Sequence, residues 1–474
     1  MVLESGDGKN SMALTGRMQF DMRSESNNST THTAAHDSDR DTAGMADQFE
    51  MRRARIGVKG KMFEHFDYEV IGNLVGSNTN IIDVAYVNAG MYKQAQLKLG
   101  QYKQPFNLEE YGTSSNNIDF MERSYVNQLT PAKKTGAMLH GVPVQGLTYA
   151  ASVYQQNNFG ETDNENTGKG FAGRATVNFA EFGSWSDSVF HVGAAGFDSE
   201  YGVLPTSSSS GIAPTCTSTA VASGGGTPTI TCTAGAATNG TVFGFRSAGR
   251  GLTNSYRAQI GGNKVLPGAN SDGAAKVENK AYGLEMAMAK GPFKIQGEYT
   301  DQTFKASHAS TGSYLNADAK AYYVEALVML TGENYSSWYK NGAWGGIKPT
   351  SNFDVETGKG KGAWELGVRF DAYDVSNVSM ASGSSAVADS SRIQGSFTGN
   401  TGGTDKTTSS IASSGAGGGA KTYTVGIKWQ LTPNMRVLAN YAHTKFDDPF
   451  KAVDTSLSNI TKEDLLMVRS QFSF

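Results

Sequence analysis

Long hydrophobic runs are missing from this 474-residue chain. Nowhere do apolar residues approach the roughly 18 to 20 in succession that a membrane-crossing helix needs, which excludes a helical membrane protein. Cysteine is nearly absent: Cys216 and Cys232 stand alone, with no second Cys or His pair to make a zinc signature. They lie in a Gly/Ser/Thr-rich stretch, where a disulfide closing a short loop and two free surface thiols are both open readings. No charge excess exists either, since 41 Lys+Arg against 44 Asp+Glu leave a net charge of -3. A basic footprint for nucleic acid is therefore lacking. His32, His36, His65, His140, His191, His308 and His443 are scattered. No HExxH, GxSxG or P-loop motif accompanies them, so no enzyme, cofactor or metal site is expected. Residues Met1 to Asn10 are polar and lack the charged start and apolar core of a signal peptide. The reading there is a processed mature chain or a recombinant one.

What the chain does have is glycine, 57 residues against 11 prolines, together with 20 Tyr and 23 Phe. It also has alternation. The C-terminus sets Leu466, Val468, Ser470, Phe472 and Phe474 against Met467, Arg469, Gln471 and Ser473. That period of 2 places one set of side chains on lipid and the other in a wet lumen, with a terminal aromatic at the interface. Leu14, Met18, Phe20 and Met22 oppose Arg17, Gln19, Asp21 and Arg23 in the same way. Further segments of this kind fall at residues 49–61, 66–74, 81–90, 95–103, 134–141, 146–155, 171–179, 189–198, 278–290, 292–304, 319–331, 362–375, 419–431, 435–447 and 463–474.

With the first at 14–23, the segments predict a 16-stranded antiparallel transmembrane β-barrel, and residues 1–474 read as that single domain. Connections alternate long (24–48, 104–133, 199–277, 376–418) and short (Phe63-Glu64-His65, Lys290-Gly291-Pro292, Thr432-Pro433-Asn434), as external loops and periplasmic turns do. Thr331 to Lys361 breaks the rule as a long insert on the periplasmic side. A soluble all-β repeat protein is the competing architecture.

A barrel of this size leaves an aqueous channel, so inward polar residues become the candidate functional surface. Arg17, Arg53, Arg55 and Lys59 lie on the inward face of two neighbouring strands. They read either as a cationic wall or as plain solvation, since selectivity needs several cations at one depth. The 199–277 connection carries Arg246, Arg250 and Arg257. A loop this long can fold back into the barrel mouth and offer guanidinium forks to oxyanions, or simply stay solvated outside. The 104–133 connection follows the fifth strand and has the length and position of a constriction loop.

The chain resembles the phosphate-selective porin O and P family of Gram-negative outer membranes. The stretches that carry the resemblance are Leu14-Thr15-Gly16-Arg17-Met18-Gln19, Met51-Arg52-Arg53-Ala54-Arg55, Leu97-Lys98-Leu99-Gly100-Gln101-Tyr102-Lys103-Gln104-Pro105-Phe106, Leu330-Thr331-Gly332-Glu333, Ile347-Lys348-Pro349 and Gly362-Ala363-Trp364-Glu365-Leu366. The resemblance implies a homotrimeric porin whose basic residues lead anions to a narrow site. By position, Arg17, Arg52, Arg53, Arg246 and Arg250 are similar to members of the family's arginine ladder. Ser114 and Ser115 match the constriction-loop Ser pair, Asp83 an acidic lumen residue, and Lys305 and Lys320 central lysines. Three departures stand out. Glu109-Glu110-Tyr111 precede the Ser pair where phosphate-specific members carry a lysine, Arg55 stands where they have a Tyr after the double Arg, and Lys103 replaces an aromatic.

The function expected is passive passage of small hydrophilic solutes with an anion preference, phosphate, polyphosphate and organic carboxylates first. The expected surroundings are the lipid bilayer and lipopolysaccharide of the outer membrane. The alternatives are a weakly selective general porin and a structural or adhesive barrel displaying its large loops.

Overall fold

Polar side chains are buried and apolar ones exposed along these strands, the reverse of a water-soluble core. Gln19 and Asp21 are 0 % exposed while Met18 and Phe20 between and beside them are 49 % and 46 %. Such an inversion is stable only with lipid outside and a polar filling within. The computed structural model describes residues 2–27, 48–75, 81–156, 168–203, 215–219, 229–233, 239–247, 254–261, 275–308, 313–380, 387–388, 417–450 and 460–474.

Sixteen strands form the wall: β1 (Ser11–Asn27), β2 (Gln48–Met62), β3 (Phe66–Asn73), β4 (Ile82–Tyr92), β5 (Ala95–Lys103), β6 (Lys133–Val144), β7 (Leu147–Gln155), β8 (Lys169–Asn178), β9 (Ser188–Val203), β10 (Ala275–Lys290), β11 (Phe293–His308), β12 (Ser313–Met329), β13 (Ala363–Met380), β14 (Gly418–Thr432), β15 (Met435–Phe450) and β16 (Ile460–Ser473). Each pairs antiparallel with the next, and β16 returns to β1 with Arg17 opposite Ser473 and Asp21 opposite Arg469. Gly16 and Phe474 exchange backbone hydrogen bonds at the seam. Closure leaves the wall without a free edge. A three-residue strand, Val2–Glu4, pairs with Ser11–Ala13 below the point where β16 ends.

The short connections turn tightly by left-handed backbone. Phe63 (φ 50°) and Glu64 (φ 66°) do so between β2 and β3, and Gly291 (φ 54°) between β10 and β11. At that same end the stacked pair Trp364 and Trp429, 5.0 Å apart, marks the inner membrane interface. Near the other end Tyr282, Tyr299, Tyr322, Phe370, Tyr423 and Tyr441 face outward as the upper girdle.

Above that girdle the inside and outside exchange character. Val277, Phe304, Ala306, Leu315, Ala317, Ala420 and Phe446 point inward and are buried. They pack against Phe243, Phe245 and Tyr256 of a hairpin (Asn239–Arg246 with Asn254–Gly261), with Phe243 stacked on Phe304 at 4.1 Å and Phe245 on Tyr373 at 4.0 Å. The hairpin therefore occupies the mouth beside β10–β14.

Candidate functional site: the lumen and the loop across it

Residues 104–132 leave β5 and cross the barrel interior instead of running outside. Phe106 anchors the start, buried edge-on against Phe197 at 4.9 Å. Asn107 then takes a left-handed φ of 62°, tolerated by Asn, and its Oδ1 accepts from the Glu110 N–H at 2.8 Å. This starts a wide helical turn, Asn107–Tyr111. Its first N–H groups, Leu108 and Glu109, donate to the two carboxylate oxygens of Glu298 on β11 at 2.7 and 2.8 Å. Further along, Met121 N–H donates to Asn440 Oδ1 on β15 at 2.8 Å, and the Arg436 guanidinium donates to the Ile118 carbonyl at 3.2 Å. Contacts to such distant strands fix the segment inside the lumen.

The loop carries four carboxylates, and each has partners. Glu109 accepts from the Ser124 N–H and hydroxyl at 3.0 and 2.6 Å and lies 3.7 Å from Arg369. Glu110 meets Arg123 at 2.9 Å, Lys103 at 3.6 Å and the Asn127 amide at 2.8 Å. Asp119 meets Lys294 at 2.7 Å and Lys428 at 3.6 Å. Glu122 is the hub of a knot: Arg52 at 2.9 Å, Arg469 at 3.0 Å and Arg23 at 3.1 Å converge on it, while Asp21 holds Arg469 with two bonds of 2.6 Å. Burial alone would raise the carboxyls of Glu110, Asp119 and Glu122. The charges of Arg123 and Lys103 instead hold Glu110 well below the usual carboxylate range, and Arg52 and Arg469 do the same for Glu122. Lys294 and Lys428 likewise overcome burial and bring Asp119 down to about 2.

The insert at 331–361 enters from the turn end and braces the loop from below. Trp344 N–H donates to the Gly112 carbonyl at 2.9 Å, and Arg174 donates to the Gly342 carbonyl at 3.0 Å while gripping Glu285 at 2.6 Å. A polar recess of about 130 Å³ remains between the loop's Asn116 and Asn117, the insert's Gly346 and Ile347, and Arg436, Gln471 and Ser473 of the wall.

Where solvent reaches the wall is decided by exposure. Side chains of Arg174, Lys294, Arg369, Lys428 and Arg469 are 0–3 % exposed, whereas Arg52, Lys103, Arg55 and Asp83 retain 22, 21, 14 and 14 % and Asp67 42 %. The open space thus runs along β2–β5, opposite the hairpin. On that side Arg17 donates to Ser115 Oγ at 2.9 Å and Asn116 Oδ1 at 2.5 Å, and Arg53 donates to Gln19 Oε1 at 2.7 Å. Arg55 lies 3.0 Å from Asp83, which also takes Lys133. Lys59 is exposed toward the turn end, and Ser114 is exposed at the loop tip while Ser115 is buried. Arg52 faces inward beside Arg53 because a bulge opposite Gln19 and Phe20 makes it the extra residue, which strict alternation would have turned to lipid.

Two of the expected site residues do not line the lumen. Lys305 alternates with buried, inward Phe304 and Ala306, so it faces outward and is exposed. Lys320 sits between buried Ala319 and Ala321 and lies 3.8 Å from outward Asp301. Above the girdle the apolar face is the inner one, which is why a charged residue there points out. Arg246 is exposed, and its backbone exchanges hydrogen bonds with the Gln128 side chain. Arg250 lies outside the described residues, and of Arg257 only the backbone, paired with Gly244, is described. Cys216 and Cys232 are direct Cα partners in a two-stranded hairpin. Sequence reasoning did not single out Lys133, Arg174, Lys294, Arg369, Lys428 and Arg436. Alternation alone could have found Lys428, between Ile427 and Trp429, and Arg369, between Val368 and Phe370.

A closed sixteen-stranded barrel, apolar outside and charged within, with a loop folded across its lumen, defines an outer-membrane porin of Gram-negative bacteria. The chain belongs to the phosphate-selective porin O and P family, whose model matches residues 19–204 and 230–474. It is 25 % identical over 412 residues to Porin O of Pseudomonas aeruginosa, covering 85 % of this chain and 78 % of that one. Among solved structures, OmpT, an outer membrane protein of Vibrio cholerae, is similar in fold with a TM-score of 0.52 at 10 % identity, over 100 % of this chain and 99 % of the other. An anion-selective porin from Comamonas acidovorans aligns with a TM-score of 0.46 at 9 % identity, over 98 % and 100 %.

Proposed function

We propose that this porin passes small hydrophilic anions through the space between the 104–132 loop and the β2–β5 wall, with phosphate, polyphosphate and organic carboxylates as its first solutes. The observation that carries the reading is a mismatch of partners. All four loop carboxylates are engaged by cations or loop donors, whereas among the described residues Arg17 and Arg53 hydrogen-bond only to neutral groups. Arg55 and Lys133 also share the single carboxylate of Asp83. Positive charge is left over where the loop meets the wall, and an anion passing there meets a stabilising field in a poorly screened space. The departure at Glu109 and Glu110 costs little, because both carboxylates are turned into the loop. Arg246 at the rim would draw anions toward the mouth. Transport is passive, with water keeping each contact weak enough to release, and no catalytic step is involved.

The working unit is a homotrimer. The outward faces of β1–β5 carry Met18, Phe20, Met51, Ile56, Val70, Leu97 and Leu99 without the charged and tyrosine-rich belt found on β10–β16, as suits a wall covered by protein. The family itself is described as phosphate-selective, which supports the same choice. Reversal potentials in a potassium chloride gradient across a planar bilayer test it. Chloride over potassium is expected, and a cation preference would overturn the reading.

A further inference from the structure

Under the tip of the crossing loop the wall holds a buried cation with no counter-charge beside it. Arg174, Lys294, Lys428 and Arg469 are similarly buried, and each grips a carboxylate at 2.6–2.7 Å. Arg436, at the start of β15, is 2 % exposed and forms no ion pair among the described residues. It donates to the Ile118 carbonyl and, at 2.9 Å, to Gln471 Oε1, while its Nε–H has no acceptor among the described residues. The acids whose charge reaches it are taken by others. Asp119 lies against Lys294 and Lys428, and Glu365 holds Lys428 at 2.6 Å and the Tyr335 hydroxyl at 2.7 Å. Arg469, also within electrostatic reach, adds further positive charge. A buried charge left in this way is costly, and the cost falls when an anion lies against it.

The polar recess of about 130 Å³ lies beside this guanidinium. Arg436 lines it with the amides of Asn116, Asn117, Gln430 and Gln471 and the Ser473 hydroxyl, and among the described residues no carboxylate does. Arg17 takes Asn116 Oδ1 at 2.5 Å, which leaves the Asn116 Nδ2 hydrogens without an acceptor among the described residues. We propose that the recess seats a small inorganic oxyanion that stays with the protein and ties the loop tip to the wall and to the 331–361 insert. Size and chemistry name the class. At roughly 30 Å³ per water the space holds about four waters, and an ion of one central atom and four oxygens takes their place. Pyrophosphate and larger carboxylates exceed it. A planar guanidinium and fixed amide hydrogens match oxygens at set angles, which favours an oxyanion over a halide. The seat is on the β14–β16 side of the loop, apart from the β2–β5 passage, so the ion is a structural one whatever the pore passes.

Thermal unfolding of the full chain in detergent, with inorganic phosphate or sulfate against chloride at equal ionic strength, tests this. About 10 mM of either oxyanion should raise the unfolding temperature by about 2–4 °C in the wild type and equally in Arg53→Gln, and hardly at all in Arg436→Gln. Asn117→Asp places a carboxylate in the recess. It should raise the unfolding temperature in chloride and abolish the response to oxyanions. Crystals soaked in selenate should show an anomalous selenium peak within hydrogen-bond reach of Arg436 and Asn116. An equal response to chloride, a response kept in Arg436→Gln, a less stable Asn117→Asp, or a recess without selenium would each overturn the proposal. If Arg436→Gln fails to fold, Asn117→Asp and the selenate map decide the matter. Loss of anion preference in the bilayer with the oxyanion response intact would count against the passage and not against this seat.

Discussion

Replacing Arg53 by Gln removes one unit of positive charge from the wall of the lumen and, among side-chain hydrogen bonds to the described residues, only the one to Gln19 at 2.7 Å. Gln19 keeps its own 2.6 Å bond to Gln471, so the local cost in stability is about 1 kcal/mol. The electrical effect acts on permeation instead. An ion passing about 6 Å away interacts with a unit charge by roughly 0.7 kcal/mol at a dielectric constant near 80 and 3 kcal/mol near 20, and ionic strength around 0.1 M removes part of it. Taking about 0.5–0.7 kcal/mol, favourable for the anion and unfavourable for the cation, the chloride-to-potassium permeability ratio falls by about five- to tenfold. Zero-current potentials across a planar bilayer under a salt gradient read this directly, and the loss should shrink as ionic strength rises. An unchanged ratio, or a rise in anion preference, would refute the assignment of the passage to the β2–β5 side.

Lys305→Gln and Lys320→Gln face away from the lumen, so each should leave that ratio unchanged; a loss like that of Arg53→Gln would return them to the path. Glu110→Lys sets a third cation beside Lys103 and Arg123. It should destabilise the loop by about 3–5 kcal/mol, seen as noisy, enlarged conductance and a lower unfolding temperature, while Glu110→Gln does less. Glu110, Asp119 and Glu122 are held below their ordinary values, so their stabilisation is complete above about pH 4.5 and fades as pH falls through the folded value, about 2 for Asp119. Conductance should therefore be constant from about pH 5 to 8 and become erratic only below about pH 3. Cys216 and Cys232, opposed in register, should resist alkylation until a reductant is added.

The arginine knot on Glu122 explains why so much charge can be enclosed. Each guanidinium is met by a carboxylate or carbonyl, and removing one member leaves another unpaired at a cost of several kcal/mol. The loop is held by salt bridges and backbone bonds to strands on every side, so its shape belongs to the whole barrel.

Much of the wall was legible in the chain because a strand exposes its side chains with a period of 2, whatever surrounds it. Leu14 to Arg23 reads as lipid face and lumen face without any knowledge of the fold, and the lengths of the connections follow from which end of a barrel faces the periplasm. Arg52 was different: a bulge, set by pairing with β1, decides its direction. Lys305 and Lys320 were misread because inward apolar Phe304 and Ala321 answer to partners remote in sequence, the Phe243–Tyr256 hairpin among them. The sequence by itself determined sixteen amphipathic strands, their order and their membrane. Only the tertiary structure decided which charges cancel. Coulomb energy depends on distances of a few ångströms between groups such as Glu122 and Arg469, 347 residues apart, and no local pattern encodes those distances.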